Sequence, residues 1–507
     1  MKKIKIIALF LTLSTCILVS SCDKWLDVLS NEEILEEDAF ATTKGFRTAL
    51  IGAYQIAASD PLWGQELTWG MMSVLSRNYT ASSLPTKYKY AMDNTNFESS
   101  YTKDAIASIW ETGYNVIANC NNIIKKVETT DKPFEYTWEK GMVLAEAKAL
   151  RALMHFELLR LFAPAPILGN KDKAIPYVTN YPNISPEYKS TSEIIKNIIE
   201  DLKYARDILK PIDVDILWGE SIMSYFSTML FYGIQNLQDD GQRSNGNAAG
   251  FFAYRGYRLN YWGVTGLLAR VYSYNRENDK AIPYVNEIIE EWIDSGVGFE
   301  FAWDQKPNNN PNLIDGKRCP EGLICLWNTK VAENYSKAAG TRYFKMTKLN
   351  DLFGADDIKE DYRYTAFYNT STSRYRVWDP SNSSHSTDSY IEKVRVILPV
   401  LEIPEIYYIK AEYLAEQGKI GEAINTLKVV KDNRNITTPI PSTVNDYNSF
   451  MEILINDLSR DFLTRGQTWF YLKKLNWKKM YNGTNVPWEA PDSWFVLPLP
   501  DSETSYY

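Results

Sequence analysis

The sequence predicts a fold dominated by α-helices, built from packed helical pairs, with a loop-rich and partly irregular face. Three observations lead there. Long segments repeat their apolar residues at helical spacing. One short pattern occurs twice: alanine, a polar turn, and a second alanine twelve residues on. Between these helical stretches lie long segments rich in Asn, Pro, Ser, Tyr and Trp.

The helices come in order. Thr42 to Ser59 places Phe46, Leu50, Tyr54 and Ala57 on one face. Residues from about Lys103 to Glu128 carry Ile106, Ile109, Trp110, Val116, Ile117, Ile123, Ile124 and Val127 on one side. A second long helix, about Trp138 to Phe162, follows the periodicity of Leu144, Ala147, Leu150, Leu153, Met154, Leu158 and Leu161, and Pro164 and Pro166 stop it. Ser192 to Leu209 forms another helix, capped by Thr191 or Ser192 and ended at Pro211.

The repeat follows. Ala269 and Ala281 flank the turn Asn275–Asp279, and Ala411 and Ala423 flank the turn Glu416–Lys419. Apolar residues recur at matching offsets, Tyr272 and Leu414 after the first alanine, Val285 and Leu427 after the second. This is the tetratricopeptide pattern, in which small alanines let paired helices approach closely. Helical repeats are thus expected over about 103–162, 192–293 and 405–476. Irregular, loop-rich insertions are expected over about 60–100 and 295–399. In the second, Gly322 to Asn328 and Ile391 to Val400 read as strands.

The first 21 residues have the layout of an export signal: Lys2, Lys3 and Lys5, an apolar run from Ile6 to Val19, then Ser20 and Ser21. Val19-Ser20-Ser21-Cys22 resembles a bacterial lipobox, with Cys22 as the lipidated first residue of the mature chain. An ordinary cleaved signal beside a chance cysteine is the alternative. Beyond it, a single unit over 22–507 is expected. No later segment has 18 consecutive apolar residues, so nothing else reads as a membrane span.

Composition narrows the function. The 507-residue chain carries 55 Lys and Arg against 63 Asp and Glu, and the signal removes three lysines more. An acidic balance spread along the chain argues against a nucleic-acid partner. Two histidines, His155 in a helix and His385 in a polar loop, make a histidine metal site or a Ser/His/Asp triad unsupported. No phosphate-binding glycine loop is present. No cofactor or metal is expected. Asp356, Asp357, Glu360 and Asp361 read as a solvated helix face. Cys319 and Cys325 are close enough to pair, but the odd number of mature thiols beside Cys22 argues against dependence on a disulfide.

What stands out is the aromatic content, 14% with 15 Trp and 34 Tyr. Trp and Tyr rings stack on the C–H faces of sugars, while amide, carboxylate and guanidinium groups bind hydroxyls. The candidate ligand residues are Trp63, Trp69, Arg77, Asn78, Tyr79, Tyr88 and Tyr90 in the first insertion. In the second they are Trp303, Trp327, Tyr375 and Trp378. Taken singly, each has core packing as its plainer role.

Taken together, these pieces resemble the SusD/RagB family of Bacteroidetes lipoproteins over nearly the whole mature chain. The resemblance rests on SCDKWLDV at Ser21 to Val28 and on the spaced motif from Phe40 to Tyr54. It continues through Asn115 to Glu128, Glu146 to Ile167, Gly266 to Tyr272 and Glu405 to Lys419. It ends with Arg460 to Asn476 and Val496 to Glu503. The resemblance implies a lipid-anchored, surface-exposed protein of the outer membrane. It implies capture of a glycan, or in some branches a peptide, and delivery to a SusC-like TonB-dependent transporter without catalysis. Ser459-Arg460-Asp461-Phe462-Leu463 and Arg465-Gly466-Gln467 depart from the family's usual C-terminal motif. Two other functions stay open on the residues alone: a tetratricopeptide scaffold that binds only protein, and an exported glycoside hydrolase with a spatially formed carboxylate pair.

Overall fold

A computed structural model describes residues 39–93, 97–131, 134–169, 172–183, 186–217, 251–252, 255–294, 301, 321–378, 396–483 and 486–504. The export signal, Cys22, Trp303, Cys319, His385 and the first part of the strand read at Ile391 lie outside them. The helices are α1 Thr43–Ala57, α2 Ser100–Thr129, α3 Glu139–Phe162, α4 Thr191–Lys210, α5 Tyr261–Tyr274 and α6 Asn278–Asn286. They continue with α7 Ile403–Glu416, α8 Ile420–Asp432, α9 Tyr447–Asp461 and α10 Gln467–Leu475. The helix-dominated, tetratricopeptide-like class read from the sequence is the observed one. Both alanine repeats form the expected pairs, α5 with α6 and α7 with α8. Ala269, Ala281, Ala411 and Ala423 are all buried where those helices meet.

Helix boundaries follow local chemistry. Thr42 caps α1 by accepting the Gly45 N–H at 3.2 Å. The cap of α4 falls one residue earlier than expected. Ser190 accepts the Glu193 N–H and the Glu193 carboxylate accepts the Ser190 N–H, a reciprocal box that satisfies two orphan donors.

Helix α3 is buried on every side. It packs between α2 and α4 and touches α1 and α5. Its polar residues therefore need partners inside the protein. Glu146 meets Arg255, which also holds Asp213 through two bonds of 2.8 Å. Arg151 grips Asp201 at 2.9 and 2.8 Å and reaches Asn121 at 2.8 Å. Arg160 pairs with Glu157 and lies 3.8 Å over the Phe470 ring. His155 is packed, not at a surface. Its Nε2 accepts the Val178 N–H at 2.9 Å, so Nδ1 carries the proton toward the Arg151 carbonyl, also at 2.9 Å.

Small strands close the spaces between helices. Lys173–Pro176 (β1) pairs antiparallel with Tyr188–Ser190 (β2). Gly322–Trp327 (β3) pairs antiparallel with Ile397–Glu402 (β4), so the strand inside the long irregular region is tied to the one at its end. Leu323 on β3 and Leu401 on β4 press on Gly263 and Gly266 of α5, where a Cβ would meet the Leu323 carbonyl at 2.8 Å and Leu401 Cδ2 at 2.7 Å.

The acidic run at Asp356 is corrected. Only Asp356 and Glu360 lie near solvent. Asp357 is held by Arg460, and Asp361 is held by Arg363 at 2.8 Å. Arg363 also binds Asp457 at 2.9 Å, and Arg434 joins Asp461 at 3.0 Å to Glu321 at 2.8 Å. The apparent solvated face is an internal charge network: Arg363 lies two residues from Asp361, while Arg460 reaches Asp357 from about a hundred residues away. Among the described residues no group of His, Cys, Asp and Glu is arranged to hold a metal ion.

His155 gives a pH signature. Burial, with the Arg151 charge adding to it, lowers its pKa from 6.5 to about 3. Between those values the unfolded chain binds a proton that the folded chain refuses. Stability is therefore complete above about pH 6.5 and falls as pH drops through that window. The depressed carboxylates Asp357, Glu412 and Asp457 lose their contribution only below about pH 4. Urea midpoints measured from pH 7 to 4.5 will decline, and His155→Gln, which stays neutral and can still accept from Val178, will flatten that decline.

Candidate functional site

The expected ligand rings of the first insertion turn inward. Asp60 to Asp93 is not an open loop but a run of turns with helical pieces at Met71–Leu75 and Thr86–Asp93. Trp69, Tyr79 and Tyr88 meet around Phe344, with ring centroids 5.4, 5.3 and 5.7 Å from it. Trp69 donates to the Gly64 carbonyl at 3.1 Å, Tyr79 donates to the Trp69 carbonyl at 2.8 Å, and Tyr88 bonds the Glu66 carboxylate. Main-chain bonds fasten this segment to residues 344–347: Thr80 N–H to Lys345 O, Phe344 N–H to Ser83 O, and Thr347 N–H to Asn78 O. Trp63, Tyr375 and Trp378 are buried as well, Trp378 donating to the Thr464 carbonyl at 3.1 Å. In this conformation these rings have no face to offer a ligand. The two insertions were separate in the sequence, and their aromatics bury against each other.

Of the expected residues, Tyr90 and Trp327 are exposed, at 43% and 46%. Tyr90 stacks parallel to Tyr101 with centroids 6.2 Å apart. Trp327 ends β3, and the following Asn328 is fixed to the Ala58 carbonyl at 2.7 Å. They sit in different surroundings.

Asn78, the neighbour of Arg77, lines a different feature, an open groove of about 420 Å³. Both follow the Met71–Leu75 helix, and Arg77 adopts a left-handed φ of 58°. Asn78 forms part of the groove floor, with its Oδ1 accepting the Thr464 N–H at 3.2 Å. Trp477, Lys479, Tyr481 and Pro487 form one wall, from the end of α10 and the hairpin of Lys479–Met480 (β5) with Trp488–Glu489 (β6). Asn476 ends α10 in the left-handed conformation, φ 50°, which turns Trp477 back so that its N–H bonds the Leu472 carbonyl at 2.8 Å. Asp351, Glu452 and Asn456 also line the groove, and Lys479 Nζ lies 3.9 Å from the Glu452 carboxylate. Asn456 is anchored by donating to the Leu352 carbonyl at 3.2 Å. Beside the groove the Arg77 guanidinium lies 4.2 Å over the Trp488 ring, which packs edge-on against Trp494 at 4.8 Å.

The groove thus sets two half-buried aromatic side chains beside carboxylates and amides, the group types that read a sugar's faces and hydroxyls. Sequence reasoning found Asn78 but missed Trp477, Tyr481, Asp351 and Glu452. The signal available was WKKMYNGTNVPWE over Trp477 to Glu489, aromatics on both sides of an Asn-Gly turn.

Helix pairs carrying a groove built from loops and a hairpin define a helical-repeat protein with a candidate binding groove. A SusD-like family model, described as starch-binding associating with outer membrane, matches residues 24–215. A SusD-like protein of Formosa agariphila is 20% identical, the match covering 94% of this chain and 92% of that one. Among solved structures, a SusD superfamily protein of Bacteroides thetaiotaomicron superposes with TM-score 0.62 at 19% identity, covering 92% of this chain and 98% of that one. A structure from Bacteroides vulgatus described as a putative sugar binding protein gives TM-score 0.63 at 15% identity, covering 92% and 96%. These matches agree with the resemblance drawn from the sequence: residues 24–215 match the SusD-like family model, and the fold is shared with SusD superfamily structures.

Burial separates two classes of tryptophan. Trp69→Ala will cost about 3–5 kcal/mol, as large aromatic deletions in cores do. Trp327→Ala will stay within about 0.5 kcal/mol, as for surface substitutions. Paired urea titrations check both.

Proposed function

We propose that this protein binds an oligosaccharide in the groove beside Asn78 and hands it to a membrane transporter without altering it. The observation that carries the reading is the groove's composition. Trp477 and Tyr481 offer apolar ring surface, while Asp351, Glu452, Asn78 and Asn456 offer hydroxyl partners within about 420 Å³. A cavity of that size suits a few sugar residues. The family model's description and the sugar-binding relative support the same ligand class. Tyr90 and Trp327, with their rings exposed, serve as outlying stacking positions, and Trp303 stays a candidate from the sequence.

The rest of the reading is topological. Residues 1–21 direct export, and Cys22 takes a lipid that holds the chain on the outer membrane with its binding face outward. No helix among the described residues is long and apolar enough to cross a membrane. A SusC-like TonB-dependent transporter is the recipient that the resemblance implies. Asp351 and Glu452 act here as hydroxyl acceptors; release of reducing ends from a bound glycan would instead favour the hydrolase.

Two experiments test this. In calorimetry against a panel of oligosaccharides, the protein will bind at least one, and Trp477→Ala will weaken it at least tenfold with little change in Tm. Peptide binding with no sugar binding would overturn the ligand class. In cell fractionation, Cys22→Ala will move the protein from the membrane to the soluble fraction while the purified variant binds sugar as before.

A further inference from the structure

A small cavity lies inside the helical body, where the end of α3, α5, α7 and α10 converge. Its volume is about 20 Å³, and every residue that lines it is buried. That is room for one water-sized species. The polar groups around it are unevenly matched. Arg160 Nε, Arg270 Nη1 and Tyr274 Oη have no hydrogen-bond partner among the described residues. All three residues line the cavity and are 3% exposed.

The acceptors at the cavity are already engaged. Both Glu405 oxygens receive Arg270, at 2.6 Å each. Gln467 Oε1 receives Arg160 at 3.2 Å, and Ser273 Oγ receives Lys474 at 3.0 Å. What is left over is donors, two of them cationic. An unmatched buried donor costs about 1–3 kcal/mol, more when charged.

Charge points the same way. Arg160, Arg270 and Lys474 have carboxylate partners in Glu157, Glu405 and Glu412. Lys473, also buried though outside the cavity lining, donates to the Arg160 carbonyl. Burial, and next the Arg160 charge, push the Lys473 pKa well down. The Arg270 charge lowers that of Arg160, after burial. Burial raises the Tyr274 phenol, so it stays protonated and able to donate.

We infer that this cavity binds a small monovalent anion, a halide such as chloride, held by Arg160 Nε, Arg270 Nη1 and the Tyr274 hydroxyl. A halide accepts every donor it touches and needs none in return, which a water molecule does not. It also offsets the repulsion between the two guanidinium groups. Its position joins the end of α3 to the repeat helix α5 and to Gln467 at the start of α10, so it acts as a structural clasp remote from the groove.

The purified mature chain tests this directly. Crystals grown or soaked in bromide will show an anomalous peak in the cavity. Tm will rise by a few degrees, with saturation, as chloride or bromide replaces gluconate at constant ionic strength. Tyr274→Phe, which keeps the ring and deletes one donor, will lose at least half of that rise. A cavity that holds only water in bromide crystals overturns the inference. So does a Tm that is equal in halide and gluconate, or a halide response untouched by Tyr274→Phe. Should that variant fail to fold, the bromide crystal decides alone.

Discussion

Helix α3 is the constraint on which the other packing depends. It is buried on all sides, yet it carries Glu139, Glu146, Arg151, His155, Glu157 and Arg160 through the interior. A buried charge without a partner costs several kcal/mol, so each residue dictates what must lie beside it. Arg47 comes from α1 to Glu139, Asp201 from α4 to Arg151, and Arg255 from the lead into α5 to Glu146. The apolar faces pull the helices together without direction. The charged pairs fix which helix sits where, and in what register.

The same device recurs in the C-terminal half. Arg363, Arg434 and Arg460 are threaded among Asp357, Asp361, Asp457, Asp461 and Glu321, and Arg465 holds Glu402 at the end of β4. The departures from the family's C-terminal motif fall in this network. Arg460, Asp461 and Arg465 remain paired inside the protein, so the drift leaves the internal electrostatics complete. Gly466 shows how tight the region is. Its φ is +77°, and a Cβ there would meet the Leu67 carbonyl at 2.1 Å. Only glycine lets the start of α10 pass so close to the first insertion. That approach carries Thr468 and Trp477 to the groove that Asn78 borders.

The groove is a by-product of rigid parts. Asn78 is held by Thr464 and Thr347, Asn456 by Leu352, and Trp477 by the left-handed end of α10. Binding groups that are fixed before the ligand arrives lose little entropy on association. The first insertion contributes by being zipped to residues 344–347, not by its own rings. Its aromatics pack beneath the groove's surroundings, and Asn78 is its expected residue that lines the groove.

The sequence by itself determined the helices, the two alanine repeats and the family resemblance. Those depend on short-range properties: periodicity, caps, small residues at helix contacts and motif order. It also pointed to aromatic side chains as the informative chemistry. It did not determine which aromatics face out. Trp69 and Tyr88 look like Trp477 and Tyr481 in composition and loop context. What separates them is whether Phe344, some 250 residues away in the chain, arrives to cover them. Only the tertiary structure decides that, as it decides that Asp357 and Asp361 face arginines and not water. Burial is a property of what packs on a residue, and for these residues the covering groups come from distant segments.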